Sequence, residues 1–230
     1  MKAKEGCLVL LIGSVLAQGG LIAAEKPKID PVPAPPKELA KLDLANSKDA
    51  SLPGGTSVVK GSWSVDAAAK KLLAAPLPLV DAWLEFGPEI REKGATITAS
   101  GLAPGGGRLP SRFGVGLYGK NGFQLRLVPV RQEIELVRRG EVLLSRPFTH
   151  DPAELQQIEL SVRSERQHWI VSGRAWKDGG NRPDKPLFEH KVFAVELLFP
   201  LAGRPVLLAT PFSGEPVSFA AAVVMPETAK

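Results

Sequence analysis

The sequence predicts an all-β fold, a two-sheet antiparallel β-sandwich of the jelly-roll type, and three observations carry this prediction. Apolar residues alternate with polar ones at a period of two through residues 112–176, which is typical of strands that bury one face. Glycine-containing turns, such as Asn121-Gly122 and Arg139-Gly140, separate these runs and predict antiparallel hairpins. About a dozen strands without a convincing long helix then need a second sheet to cover their apolar faces.

The N-terminal residues have the pattern of an export signal. Lys2 and Lys4 precede an apolar run, 7–17, and Ala23-Ala24 offers a cleavage point, so residues 1–24 are expected to be a signal peptide. The apolar run is shorter than the roughly twenty residues of a membrane-spanning helix. We therefore expect a periplasmic, cell-envelope or extracellular protein. Cys7 is the only cysteine, so the mature chain is expected to have no disulfide and no thiolate metal site.

Residues 25–60 are expected to form a proline-rich linker, which its prolines stiffen toward an extended conformation. Within it, 37–45 has helix-forming composition but is long enough for only one or two turns. The folded jelly-roll domain is expected to span residues 61–225, and residues 226–230 form a C-terminal tail. Residues 66–75 are ambiguous between helix and hairpin.

The predicted strands follow from the alternation and from the turns between them. In chain order they cover 79–86, 95–102, 112–117, 123–127, 133–136, 142–148, 158–163, 168–176, 188–199, 206–212 and 217–225. The apolar phase predicts a core that includes Phe113, Val115, Leu117, Phe123, Leu125, Leu127, Ile158, Leu160 and Val162.

The charge balance excludes an obvious nucleic-acid arm. The chain has 29 basic and 24 acidic residues, a formal net charge of +5, and no block of five like charges. The arginine-rich strands are expected to present a solvated sheet face, and no nucleic-acid partner is expected.

Several stretches resemble the concanavalin A-like lectin/glucanase superfamily, the jelly roll shared with laminin-G-like domains. The residues that carry this resemblance are Gly61-Ser62-Trp63, 84–90, 112–119, 135–142, 158–162 with Trp169, and 173–176. The closest likeness is to bacterial secreted domains of the 3-keto-disaccharide hydrolase type. The resemblance implies a jelly roll over about residues 61–225, but this superfamily contains lectins, hydrolases and non-catalytic adhesion modules alike.

A catalytic site is implied only weakly, by Glu133 and Glu135. Laminarinase-type β-glucanases of this superfamily carry two carboxylates on one face of a strand, followed by a third that acts as general acid. Here Val137 and Arg138 occupy the two positions where that acid would stand, so the laminarinase-type site is incomplete. For the hydrolase of the 3-keto-disaccharide type, the available acid/base groups would be Glu85, Glu133, Glu135, His150 and Asp151, although an ordinary surface position is the simpler interpretation of each.

The candidate ligand-binding residues are Tyr118, Trp176, Asp178 and Asn181. Sugar C–H faces pack on aromatic rings, and Trp176 is expected at a strand end beside a polar loop, whereas Trp63, Trp83 and Trp169 are expected in the core. Asp178, Asn181 and Asp184 are candidate calcium ligands, although Arg182 among them argues for a plain turn.

These observations favour an exported, monomeric, non-catalytic carbohydrate-binding or interaction module. Its expected partner is a carbohydrate or cell-envelope glycan, and the arginines favour a polyanionic one. No cofactor is required, and calcium remains the one candidate. Two alternatives stay open: a 3-keto-disaccharide (glycoside) hydrolase, and a structural cell-envelope protein without a small ligand.

Overall fold

The computed structural model describes residues 36–47, 50–77, 80–91, 94–104, 111–197, 199–212 and 214–227. These residues belong to one compact unit that begins at Pro36. The expected signal peptide, residues 1–24, lies outside the described residues, as does the linker up to residue 35. No helix among the described residues is long and apolar enough to cross a membrane.

The described residues form seventeen strands and three short 3₁₀ turns. The strands are β1 (Ala40–Lys41), β2 (Thr56–Lys60), β3 (Trp63–Asp66), β4 (Lys71–Ala74), β5 (Ala82–Phe86), β6 (Ile90–Arg91), β7 (Ala95–Leu102), β8 (Arg112–Leu117), β9 (Phe123–Val128), β10 (Glu133–Arg138), β11 (Glu141–Pro147), β12 (Gln156–Glu165), β13 (His168–Lys177), β14 (Phe188–Phe193), β15 (Ala202–Gly203), β16 (Val206–Thr210) and β17 (Val217–Pro226). The 3₁₀ turns are Gly119–Asn121, Pro129–Arg131 and Ala194–Glu196.

Two large antiparallel sheets contain fifteen of these strands. Sheet I has the order β14-β13-β12-β7-β17-β4-β3, and β1 also pairs with β17. Sheet II has the order β11-β10-β9-β8-β16-β5-β2. The two remaining strands, β6 and β15, pair with each other. The expected two-sheet antiparallel sandwich is confirmed.

The core lies between the two sheets, as the alternation predicted. Each of the nine apolar residues expected there is at most 1% exposed. Phe113 of sheet II meets Phe219 of sheet I edge to face, with ring centroids 5.8 Å apart, and Trp63 lies 6.0 Å from the same ring. These contacts join the inner faces, so the opposite face of each sheet is its outer face.

The expected meander of residues 112–176 divides between the two sheets. β8 to β11 are successive neighbours in sheet II, whereas β12 to β14 are successive neighbours in sheet I. Gln132 holds the beginning of the segment that leaves β11 of sheet II and leads to β12 of sheet I. Its carbonyl accepts a hydrogen bond from the Phe148 amide at 2.7 Å, and its side chain accepts one from the His150 amide at 2.8 Å.

The expected linker boundary at residue 60 is wrong, because the folded unit begins before it. Ala40, Leu42 and Leu44 are buried at a period of two, so 37–45 is extended rather than helical, and Ala40 pairs with Val224. β2 then forms the edge of sheet II beside β5. The ambiguous residues 66–75 form the β3–β4 hairpin. The C-terminal boundary shifts too, since Glu227 bonds to Gly94 and Thr96.

Candidate functional site

A cavity of about 420 Å³ opens on the outer face of sheet II. We call it the sheet II pocket. The residues that line it include Lys60, Asp81, Trp83, Glu85, Arg112, Lys120, Arg126 and Leu208. These residues come from β2, β5, β8, β9 and β16, from the position before β5 and from the turn after β8. Ligand pockets of small molecules typically measure roughly 300–1,000 Å³, so this cavity has the size of a binding site.

Trp83 reaches the pocket because of its phase on β5. Ala82, Leu84 and Phe86 point into the core and are at most 2% exposed, so Trp83 and Glu85 point to the outer face. Trp83 is half-buried there and lines the cavity. The expectation that Trp83 belongs to the core is therefore wrong.

A cross-strand row places Trp83 and Arg126 on one surface. Trp83 pairs with Leu208, Leu208 with Gly114, and Gly114 with Arg126. A Cβ atom at Gly114 would lie only 3.2 Å from Cγ of Arg126, so the stem of Arg126 occupies the space above this glycine. The glycine thus lets the Arg126 side chain cross β8 and line the pocket.

Gln124 orients the Arg126 guanidinium, because its Oε1 atom accepts a hydrogen bond from Arg126 Nη2 at 2.6 Å. Burial lowers the pKa of Arg126, the Asp81 carboxylate opposes this shift, and the positive charge of Arg112 adds to it. An arginine keeps its proton under such conditions, so the pocket holds a partly desolvated cation.

The other polar groups of the pocket are held by neighbours on the rim. Thr210 donates a hydrogen bond from Oγ1 to Asp81 Oδ1 at 2.6 Å, which fixes the carboxylate. The Arg112 guanidinium carbon lies 5.1 Å from the centroid of the Phe212 ring, in a cation–π contact. Glu85 forms a long ion pair of 3.8 Å with Arg204. Lys60 and Lys120 are exposed.

An aromatic ring, fixed acceptors and several cationic donors therefore converge on one cavity. Such a combination binds a polar ligand that also has an apolar face, since the ring packs on that face while the polar groups pair with hydrogen-bonding groups.

Glu133 and Glu135 lie on the same outer face, on β10, but outside the residues that line the pocket. Ser145 donates to Glu133 Oε2 at 2.7 Å, and Arg131 forms ion pairs with both carboxylates. Glu135 is only 3% exposed. The two carboxylates therefore belong to a closed network with Arg131.

Tyr118 cannot be a ligand platform, so that expectation is wrong. Its side chain is fully buried and meets the Trp169 ring edge to face, with centroids 6.5 Å apart. The backbone at Tyr118 has a φ of 64°, which ends β8 and interrupts its alternation, and this change of direction accompanies the burial of the ring. Burial raises the pKa of the Tyr118 hydroxyl well above its ordinary value.

The remaining ligand candidates lie by the outer face of sheet I, on the far side of the sandwich from the pocket. Trp176 is half-buried at the end of β13, and Asp178 Oδ1 accepts a hydrogen bond from Gln157 Nε2 at 2.6 Å. Asn181 and Asp184 are exposed on the following loop. Arg182 anchors this loop to the sheet through two hydrogen bonds of 2.6 Å to Glu159.

The candidate calcium ligands do not form a cluster of acidic groups. Across the residues that the structure describes, no group of three or more His, Cys, Asp or Glu side chains is placed to hold a metal ion. The loop that contains Asp178, Asn181 and Asp184 instead packs on sheet I through Arg174, whose guanidinium donates to the carbonyls of Pro183 and Asp184.

Comparison with known proteins identifies the fold. No protein-family model matches the chain, and no curated protein sequence matches it. Among solved structures, the carbohydrate recognition domain of Emp46p in its metal-free form is 11% identical, with a TM-score of 0.59 over 84% of this chain and 98% of that one. The seed lectin of Lotus tetragonolobus is 8% identical, with a TM-score of 0.55 over 79% and 97% of the two chains.

The lectin UEA-II complexed with galactose is 9% identical, with a TM-score of 0.51 over 78% of this chain and 97% of that one. None of these comparisons supports the expected likeness to 3-keto-disaccharide hydrolases. At such identities the likeness shows the fold alone, and the fold is the jelly roll of the concanavalin A-like lectins.

Proposed function

We propose that this protein is an exported, non-catalytic carbohydrate-binding module that binds saccharide in the sheet II pocket. The observation that carries the proposal is the half-buried Trp83 ring in a cavity that also contains Asp81 and Arg126. A saccharide has apolar C–H faces that pack on an aromatic ring and hydroxyls that need both acceptors and donors.

The polar groups of the pocket suit saccharide hydroxyls. Thr210 holds Asp81 by one carboxylate oxygen, and a carboxylate has a second oxygen that can accept from a saccharide hydroxyl. Arg112 and Arg126 supply planar groups of N–H donors on the same surface. Because Asp81 and Arg126 are positioned by Thr210 and Gln124 before any ligand binds, binding does not have to order them.

The structural neighbours support the ligand class. They include a carbohydrate recognition domain, a lectin in complex with galactose and a basic winged bean lectin with Tn-antigen. The shared fold is compatible with many functions, so the pocket chemistry has to carry the proposal for this chain.

The non-catalytic part of the proposal rests on β10. A retaining glycosidase needs a proton donor about 5 Å from its nucleophile. The two positions after Glu133 and Glu135 where this donor would stand are occupied by Val137, which is fully buried and apolar, and by Arg138. Arg131 already pairs with both carboxylates, which favours a structural role for them.

Export is supported by the basic and apolar pattern of the first residues and by the small residues that follow it at Ala23-Ala24. Mass spectrometry of the protein purified from its native host should find an N-terminus near Glu25. An intact N-terminus at Met1 would contradict export.

The binding proposal is tested by a glycan array followed by titration calorimetry with the saccharide that binds best. We expect affinity in the micromolar to millimolar range and a loss of about tenfold or more in Trp83→Ala. Trp176→Ala is the matched comparison, since this tryptophan lies on the other sheet. An array without hits, or a loss of binding in Trp176→Ala but not in Trp83→Ala, would refute the proposed site.

A further inference from the structure

We propose that the sheet II pocket selects saccharides that carry an acidic group, a carboxylate or a sulfate ester, and that Arg126 binds this group. This inference rests on the proposed function, because it names the ligand class of the same pocket.

Arg126 is a cation whose hydrogen-bond partner is a neutral side chain. Its guanidinium is half-buried and donates to the neutral amide oxygen of Gln124 at 2.6 Å. Within the part of the chain that the structure describes, Arg126 forms no ion pair with a carboxylate. Partial burial of a charge is unfavourable unless an opposite charge compensates it, so an arriving anion recovers part of this cost.

The pairing of the nearby charges shows that Arg126 is directed toward the pocket. Glu135 is the cross-strand partner of Arg126, and opposite charges in this position normally attract each other. Glu135 is instead paired with Arg131, and the Arg126 stem lies over Gly114 on the side away from β10. Arg131 thus takes the carboxylate that would otherwise neutralise Arg126.

The rest of the pocket is also basic. Lys60, Arg112 and Lys120 join Arg126, so four cations face two carboxylates, those of Asp81 and Glu85. Glu85 has its own ion pair with Arg204 outside this set. In the described part of the chain, none of the four cations has a carboxylate partner at ion-pair distance.

On the outer face of sheet I, by contrast, three arginines have carboxylate partners. There Arg174 and Arg182 both bind Glu159, at 2.7 Å and 2.6 Å, and Arg163 lies by Glu165. These three arginines thus have a carboxylate at ion-pair distance, whereas Arg126 in the sheet II pocket has none among the described residues. A planar guanidinium matches carboxylate and sulfate oxygens through two parallel hydrogen bonds. Both acidic groups therefore suit Arg126.

The test compares short saccharides that differ only in the acidic group. One probe set consists of glucuronate, galacturonate and mannuronate trisaccharides, each compared with its methyl ester. The other consists of 6-sulfated disaccharides, each compared with the same disaccharide without the sulfate. We expect at least one acidic probe to bind about tenfold or more tightly than its neutral counterpart, and this preference to weaken as the salt concentration rises. The two probe sets distinguish carboxylate from sulfate recognition.

Single-residue variants then show which arginine causes the preference for acidic saccharides. Arg126→Gln should weaken binding of the acidic probe by about tenfold to hundredfold and binding of its neutral counterpart by a clearly smaller factor, because glutamine can still donate to a hydroxyl but carries no charge. Arg112→Gln provides a second variant in the same pocket. Arg146→Gln is the matched control, because it removes the same charge from an exposed position on β11. Its binding should stay unchanged, which separates a specific contact from attraction by net charge.

Each contrary outcome has a distinct meaning. Equal binding of acidic and neutral probes that Trp83→Ala abolishes would overturn the acidic preference and leave the proposed function standing. An equal loss in Arg126→Gln and Arg146→Gln would also overturn it, since diffuse charge would then explain the binding. No binding of any saccharide would overturn both.

Discussion

The Arg126 stem lies directly over Gly114 on the neighbouring strand. A Cβ atom at residue 114 would stand 3.2 Å from Cγ of Arg126 and 2.5 Å from the carbonyl oxygen of Leu125. The absence of a side chain at this one position on β8 thus sets where the guanidinium of Arg126 can lie.

Gly114→Ala is expected to destabilise the protein and to weaken saccharide binding. The new methyl group would crowd both the Leu125 carbonyl and the Arg126 stem, and overpacking of this kind costs about 1–3 kcal/mol in the free energy of unfolding. Urea unfolding measures this loss. Gly54→Ala is the control, because its Cβ would meet no atom within 4 Å, and it should change stability by less than about 0.5 kcal/mol. A Gly114→Ala protein as stable as the control would contradict the close contact.

Glu159→Gln is expected to cost about 3 kcal/mol in the free energy of unfolding. Glu159 is 4% exposed and accepts hydrogen bonds from both Arg174 and Arg182, so its removal leaves two cations without a counter-charge. Glu154→Gln is the matched comparison, because its ion pair with Lys177 is at the surface, where solvent screens it, and should contribute little to stability. Similar losses in the two variants, measured by urea unfolding, would show that Glu159 does not anchor the loop.

His150 should make the protein less stable in mild acid. Its Nδ1 atom lies 3.3 Å from the Phe148 carbonyl oxygen, which requires the proton on Nδ1, and its buried Nε2 has no hydrogen-bond partner among the described residues. Burial lowers the pKa of His150 below its ordinary value of 6.5. The unfolded chain therefore takes up this proton first as the pH falls, and stability decreases below about pH 6.5.

The comparison of wild type with His150→Asn isolates this effect, since asparagine can still donate to the Phe148 carbonyl. Between pH 7.5 and pH 5.5, the free energy of unfolding of the wild type should fall more than that of His150→Asn. Parallel pH profiles for the two proteins would contradict the assignment.

The protein should not hydrolyse laminarin or related β-glucans. General-acid catalysis alone typically contributes about 10²–10⁴-fold, and Val137 and Arg138 stand where the acid would be. Release of reducing sugar should stay at the level of a buffer blank, with a laminarinase as positive control. Turnover of a 3-keto-disaccharide that is lost in Glu133→Gln or Glu135→Gln would show instead that the protein is an enzyme.

Local alternation was sufficient to predict most of the fold. The strand 95–102 was predicted with the bounds that β7 has, because its ends are marked by turn residues and its apolar phase is regular. The same signal is present near the N-terminus, where Ala40, Leu42 and Leu44 follow a period of two. Alanine, lysine and leucine favour helices on their own, and pairing with β17 overrides this preference.

The pocket was harder to predict, because its residues are brought together by strand order. Lys60, Asp81, Arg112 and Arg126 lie far apart in sequence, and only the order β9-β8-β16-β5-β2 places them on one surface. One local signal was available: Glu85 shares the phase of Trp83, so Trp83 had to point to the same outer face as a charged residue.

A crystal structure with the saccharide that binds best on the array tests the central claim most directly. We predict that the saccharide lies in the sheet II pocket, with a sugar ring packed on Trp83 and an acidic group at the Arg126 guanidinium. A saccharide bound instead at Trp176 and Asp178, on the outer face of sheet I, would contradict the account.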